Sequence, residues 1–317
     1  MPSSHAIFAT TVDPSPSNFI RSPTKSRKVA TSTTPFPTSS KASLTLEEYS
    51  LLPLSGVPAY RAVRTFVLGL PGKHGKRGGS DMGGRALVLR GHDGAGAMAV
   101  QMLVRRGWHV CVHVPLLRDP RDKRKYMKEV EERVRNWGAE DVVFDDGAAG
   151  AVIRILEGLL EDAEEFDAIL DTVGGRGVWE AGERLLRVGR CGLFTTIVGD
   201  VPERAIPSAG DHFMAGLRSL RLGKKGKQTG RDVERNDGKV KGKGKVGYAW
   251  VSVAQDVDWE GEDVRESLRV VVGMALEKGV RPWVGRVVPF ERAPQVFAHK
   301  GRELLRDGGT AVVKIVG

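Results

Sequence analysis

Residues 91–96, Gly-His-Asp-Gly-Ala-Gly, are the stretch of this chain best suited to chemistry. Glycines at 91, 94 and 96 let backbone N–H groups approach an anion, and a helix starting there adds partial positive charge. The chemistry implied is the binding of a phosphate or pyrophosphate. The spacing G-x-G-x-x-G is met at its outer positions by Gly91 and Gly96 but not in the middle, where Asp93 stands. Asp93 would either face a bound phosphate and repel it, or cap the helix and take the N–H groups a phosphate would use. Gly94 and Ala95 complete the turn.

Such a turn must sit between a strand and a helix, and the flanking sequence supplies both. RALVLR (85–90) is a continuous apolar run and reads as a buried strand; 95–106 reads as a helix ended by Gly107. The alternation continues through a strand at 108–114, a charged helix at 121–137 and a strand at 141–144. A one-sided helix follows, built on Val152, Ile155, Leu156, Leu159 and Leu160. Then come a strand at 166–173, a helix at 176–187 and a strand at 189–199. Beyond a low-complexity run, the pattern resumes with a strand at 248–254, a helix at 262–278, a strand at 283–288, a helix at 291–306 and a strand at 310–316. Upstream, 45–68 predicts two helical pieces, with Thr45 and Glu48 spaced as a capping box, and 71–85 predicts a Gly/Lys loop. Solidly apolar strands alternating with helices predict an α/β fold: a doubly wound, Rossmann-like parallel sheet whose ligands bind outside the carboxyl ends of the strands.

The 317 residues are 40% apolar and 28% charged, which excludes a wholly disordered chain. No apolar run approaches the ~20 residues of a membrane helix, so no membrane partner is expected. Two cysteines, Cys111 and Cys191, exclude a disulfide framework or cysteine-rich zinc site. They fit small core residues in a reducing compartment, the cytoplasm. The mitochondrion is the alternative, because 1–43 is short of acids, although Pro14 and Pro16 would break a targeting helix. The net charge of +10 does not mark a nucleic-acid face. Five basic residues and one acid in 1–43, with nine basic residues and three acids in 222–246, account for all of it. Both segments read as disordered, the second as a basic linker inserted within the 44–317 cofactor domain. No histidine has a partner at metal-ligand spacing, so no metal is expected.

Taken in order, LPLSGVPAYRAV (52–63), ALVLRGHDGAGAMAVQ (86–101), WGAEDVVFDD (137–146), FDAILDTVGG (166–175), LLRVGRCGLFTTIVGD (185–200) and 279–315 resemble the medium-chain dehydrogenase/reductases, in particular their zinc-independent quinone-oxidoreductase branch. The resemblance covers 44–317 apart from the linker. It implies a nicotinamide dinucleotide across the turn, with Gly91, Gly94 and Gly96 at the pyrophosphate. Thr172, Val173 and Gly174, together with Ile197, Val198 and Gly199, would then line the cofactor. The second strand ends at Val114-Pro115 without the acid that binds an NAD ribose, and Arg118, Arg121, Lys123 and Arg124 follow. Basic groups there favour the 2′-phosphate of NADPH, with Arg118 and Lys123 as its contacts.

Family members carry a GroES-like catalytic domain ahead of LPLSG, and 1–43 lacks the patterning of a barrel. Two functions follow. One is an NADPH-dependent oxidoreductase of the quinone reductase type, moving hydride to a carbonyl or conjugated alkene of a small-molecule substrate. The alternative is a non-catalytic nucleotide-binding or scaffold protein; an incomplete gene model is a third explanation of the short N-terminus. No side chain is assigned a catalytic role. In the family the two tail strands complete the catalytic domain's sheet. Here they are expected to pair with each other and with a second copy or a separately encoded domain, or else to fold back on the helices at 45–68.

Overall fold

The computed structural model describes residues 20–21, 43–68, 84–116, 123–148, 150–187, 192–202, 208–220, 246–252, 255–297 and 310–315. The linker 222–246 apart from its last residue, Arg118, Arg121 and Cys191 lie outside the described residues, as does the N-terminal segment 1–43 apart from its last residue and one short strand. That strand, β1 (Ile20–Arg21), pairs antiparallel with Phe144 and Val143. It departs from the expectation of a structureless 1–43: the edge of a parallel sheet offers unpaired N–H and C=O groups to any extended segment nearby.

The first helical region is one continuous stretch rather than two pieces: α1 (Leu46–Leu51), a wider turn over Leu52–Gly56, and α2 (Val57–Leu68). Pro53 has no N–H to give an ordinary helical turn, and widening the turn carries the helix past it. The capping box forms as the spacing predicts: Glu48 N–H donates to Thr45 Oγ1 at 3.2 Å and Thr45 N–H to Glu48 Oε2 at 2.8 Å.

From there strands and helices alternate: β2 (Arg85–Val88), α3 (Gly94–Val104), β3 (His109–Val114), α4 (Lys123–Asn136), β4 (Asp141–Phe144), α5 (Ala151–Glu161), β5 (Ala168–Asp171), α6 (Arg176–Gly182), β6 (Leu193–Thr196), α7 (Ala209–Leu220), β7 (Gly247–Trp250) and α8 (Val264–Glu277). Helix α7 has no counterpart in the sequence reading. Its signal was Ser208 and Asp211, whose side chains accept each other's backbone N–H at 3.2 and 2.7 Å. The sheet order is β1-β4-β3-β2-β5-β6-β7, and all six strands from β2 onward run parallel. The chain therefore steps outward in opposite directions from β2, and the switch point lies between β2 and β5.

Alternation along the strands builds a core on each face. Ala86 and Val88 of β2 pack with α2, α3, α4 and α8, while Leu87 and Leu89 pack with α5 and α6. This is the Rossmann-like doubly wound α/β architecture that the apolar strands predict.

The tail forms β8 (Arg286–Pro289), α9 (Ala293–Phe297) and β9 (Ala311–Lys314). β8 and β9 pair parallel with each other, Val288 opposite Val313, apart from the main sheet. Their approach is fastened to the body. The Gln101 side chain donates to Arg281 O at 2.7 Å and accepts from Arg281 N at 3.0 Å, and Arg281 also bonds Glu48 of α1. The pairing of the two strands and the fold-back onto α1 thus both occur, with Val288 buried and Val287 44% exposed.

Candidate dinucleotide site

The loops following β2, β5 and β6 meet at the switch point. After β2, Leu89 N–H still bonds Leu170 O at 2.9 Å, and Arg90 then turns into the left-handed region (φ 51°). That conformation strains a residue with a Cβ. It is held by His113 of β3, whose Nδ1 accepts from Arg90 N–H at 3.3 Å while its carbonyl accepts from Gly91 N–H at 3.2 Å. Gly91 is buried, its N–H is spent inside the protein, and a Cβ there would meet Val112 at 2.8 Å. Gly96 is buried too: a Cβ would lie 2.5 Å from Arg90 O, so glycine is what lets α3 start against the turn. Gly94 and Ala95, by contrast, are half-buried: a Cβ on Gly94 would have room, while the Ala95 side chain packs against the core.

Asp93 occupies the N-cap position of α3 with extended backbone, and its side chain makes no capping bond. That carboxylate therefore satisfies none of the first-turn N–H groups of α3. The expectation that Asp93 caps the helix is not met. Its Oδ1 instead accepts the Thr310 hydroxyl at 2.8 Å, just ahead of β9.

The other two loops are locked by their own strand ends. Asp171 Oδ1 accepts from Val173 and Gly174 N–H at 2.8 and 2.9 Å, and Thr196 Oγ1 from Val198 and Gly199 N–H at 3.2 and 3.0 Å. Thr172 Oγ1 donates to Leu89 O at 2.8 Å, joining its loop to the root of the glycine turn. Gly175 N–H donates to Gly199 O at 2.8 Å, joining the second loop to the third. Thr172, Val173, Ile197 and Val198 stay half-buried along this seam, with Gly174 and Gly199 buried beneath. Burial pushes the Asp171 carboxyl up from its ordinary value, against the pull of the two backbone N–H groups.

The sequence reading missed the pair that braces the turn. His113 and Asp145 are buried, and His113 Nε2 lies 3.0 Å from Asp145 Oδ2. Because Nδ1 accepts from Arg90, the ring's proton sits on Nε2 and donates to the carboxylate. Asp145 Oδ1 also accepts from Leu116 N–H at 3.0 Å and Gly147 N–H at 2.7 Å. Burial alone would raise the Asp145 carboxyl, but the His113 ring and these two N–H groups hold it below its ordinary value. The available signal was a polar residue at the inward end of an apolar strand, His113, with Asp145 at the end of the next. On the α4 side, Arg133 donates to His92 O at 3.3 Å and lies over the Trp283 ring at 4.0 Å.

Of the residues expected at a 2′-phosphate, Lys123 opens α4, and its side chain makes no hydrogen bond or ion pair among the described residues. Cys111 is a buried core residue of β3, and among the described residues no group of His, Cys, Asp and Glu could hold a metal ion. No described helix is long and apolar enough to cross a membrane.

No protein-family model matches the chain. It is 38% identical over 91 residues to the NAD(P)H oxidoreductase RTN4IP1, mitochondrial, of Danio rerio; the match spans 29% of this chain and 19% of that protein. Among solved structures, the Coxiella burnetii quinone oxidoreductase is 16% identical with a TM-score of 0.49, covering 88% of this chain and 63% of that one. The Thermus thermophilus quinone oxidoreductase, solved also with NADPH, is 20% identical with a TM-score of 0.47, covering 86% and 67%. The chain is similar to these NAD(P)H and quinone oxidoreductases and spans only part of the length of each.

Proposed function

We propose that the chain binds a nicotinamide dinucleotide and serves an oxidoreductase of the quinone reductase type. The carrying observation is the convergence of three interlocked loops on the first turn of α3, at the switch point of a doubly wound sheet. Gly94 and Ala95 present backbone to an anion, and Gly96 allows the helix to start close enough to the strand for its dipole to act there. Thr172, Val173, Ile197 and Val198 would then lie along the nicotinamide half. The cofactor supplies the hydride, and the protein's part is to bind and orient it. The substrate is a small carbonyl or conjugated alkene. The name of the Danio rerio relative favours the mitochondrion over the cytoplasm as the compartment.

We further propose NADPH over NADH. Val114 and Pro115 end β3 without an acid of their own, and Asp145, at the end of the neighbouring β4, is buried and engaged by His113, Leu116 and Gly147. In fluorescence titrations NADPH should bind more tightly than NADH, and the difference should shrink as salt rises, because the contact is ionic and exposed. Equal affinities would remove the preference, and no binding of either nucleotide would remove the dinucleotide reading.

Asp93 should weaken that binding. A carboxylate about 5 Å from a phosphate repels it by about 3 kcal/mol at an effective dielectric of about 20, before solvent relaxes. Asp93→Gly is expected to tighten NADPH binding about tenfold or more. An unchanged or weaker affinity would show that Asp93 does not face the phosphate.

A further inference from the structure

We propose that Thr310 is a latch that holds the C-terminal strand across the first turn of α3, so that the site opens only when the latch is released. The inference rests on the dinucleotide reading given above. Thr310 is fixed from both sides. Its carbonyl accepts from Arg286 N–H at 3.1 Å, and a Cβ on Gly285 would lie 2.8 Å from that same oxygen, so the β8 backbone runs tight against it. Its hydroxyl, on the other side, donates to Asp93 Oδ1 at 2.8 Å. A Cβ on Gly94 would have Thr310 Oγ1, at 3.9 Å, as its one neighbour within 4 Å among the described residues. The threonine therefore stands over the one glycine of the turn that is otherwise open. A phosphate approaching Gly94 and Ala95 meets the Thr310 side chain first.

The root of this strap is anchored independently of the latch. Gln101 holds Arg281 by two bonds, Arg105 donates to Lys278 O at 2.6 Å and Gly279 O at 2.9 Å, and Trp283 lies under Arg133. These contacts belong to the sides of α3 and α4, not to the turn. Releasing the Thr310–Asp93 bond lets the Thr310 side chain leave Gly94 without unfastening residues 278–283, while Val288 stays buried and β9 keeps its contact with α1. A single hydroxyl-to-carboxylate bond is strong enough to favour the closed state and weak enough for a bound anion to outcompete.

The test compares Thr310→Val, which keeps the shape and removes the donor, with Thr310→Ser, which keeps the donor. Amide hydrogen exchange of the full chain without ligand should quicken about fivefold in Thr310→Val at Ala311–Lys314 and Gly94–Gly96, and stay as in the wild type in Thr310→Ser. NADPH titration should show about fivefold tighter binding by Thr310→Val and no change in Thr310→Ser. Unchanged exchange in Thr310→Val overturns the latch. So does quicker exchange with weaker or equal NADPH binding, which would make Thr310 a support or a ligand contact. If exchange quickens as stated but wild type, Thr310→Val and Asp93→Gly all fail to bind NADPH, the latch stands and the dinucleotide reading falls.

Discussion

Replacing Asp145 with alanine is expected to destabilise the fold by about 3–5 kcal/mol, because it strips a buried ring of its partner and leaves two backbone N–H groups unsatisfied. At about 2–4 °C per kcal/mol for a domain of this size, thermal unfolding should shift down by about 10 °C. The loss has a definite dependence on pH. The Asp145 carboxyl titrates below its ordinary value in the folded chain, so its contribution is complete above the unfolded value near 4. It disappears as pH falls from there through the lowered folded value. Denaturant titrations should therefore give a constant difference between wild type and Asp145→Ala from neutral pH to about 4, and a shrinking one below. A difference under about 1 kcal/mol at neutral pH, or one that grows on acidification, would mean the pair does not brace the fold. Because His113 holds Arg90 in its left-handed conformation, the variant should also lose order at the glycine turn, seen as faster amide exchange at Arg90 and Gly91.

Gly174→Ala should be nearly as damaging. Gly174 sits at φ 80°, and a Cβ there would come within 2.5 Å of Val198 and 2.9 Å of Gly199 O. The left-handed backbone costs about 1–2 kcal/mol and the clash about 1–3, for an expected loss of about 2–4 kcal/mol. Since the clash falls between the second and third loops, NADPH binding should weaken as well. Gly273→Ala is the control: Gly273 is a helical position of α8 with nothing within 4 Å of a Cβ, and it should gain up to about 1 kcal/mol in stability. If the two variants unfold alike, the interlock of the loops carries none of the site's stability.

The sequence by itself determined the layered architecture, because that architecture is local periodicity repeated. Ala86 to Leu89 are apolar at every position, so they need cover on both faces; Val152, Ile155, Leu156 and Leu159 mark one helical stripe; Thr45 and Glu48 mark a helix start. The glycine turn and the two loop motifs were legible for the same reason, since each is a contiguous strand end. Tertiary structure decided three things that lie far apart in the chain. It divided the glycines, giving Gly91 and Gly96 to packing and leaving Gly94 with room for a Cβ, because only the approach of Val112 and of Arg90 O shows which Cβ has no room. It set His113 against Asp145, 32 residues on, because parallel pairing of β3 with β4 brings their carboxyl ends side by side. It gave Asp93 a partner 217 residues away, Thr310, in place of the helix start. Periodicity and spacing report what a residue does within a few positions of itself. A carboxylate takes whichever donor the folded chain delivers to it, and that delivery depends on where the tail strands come to rest.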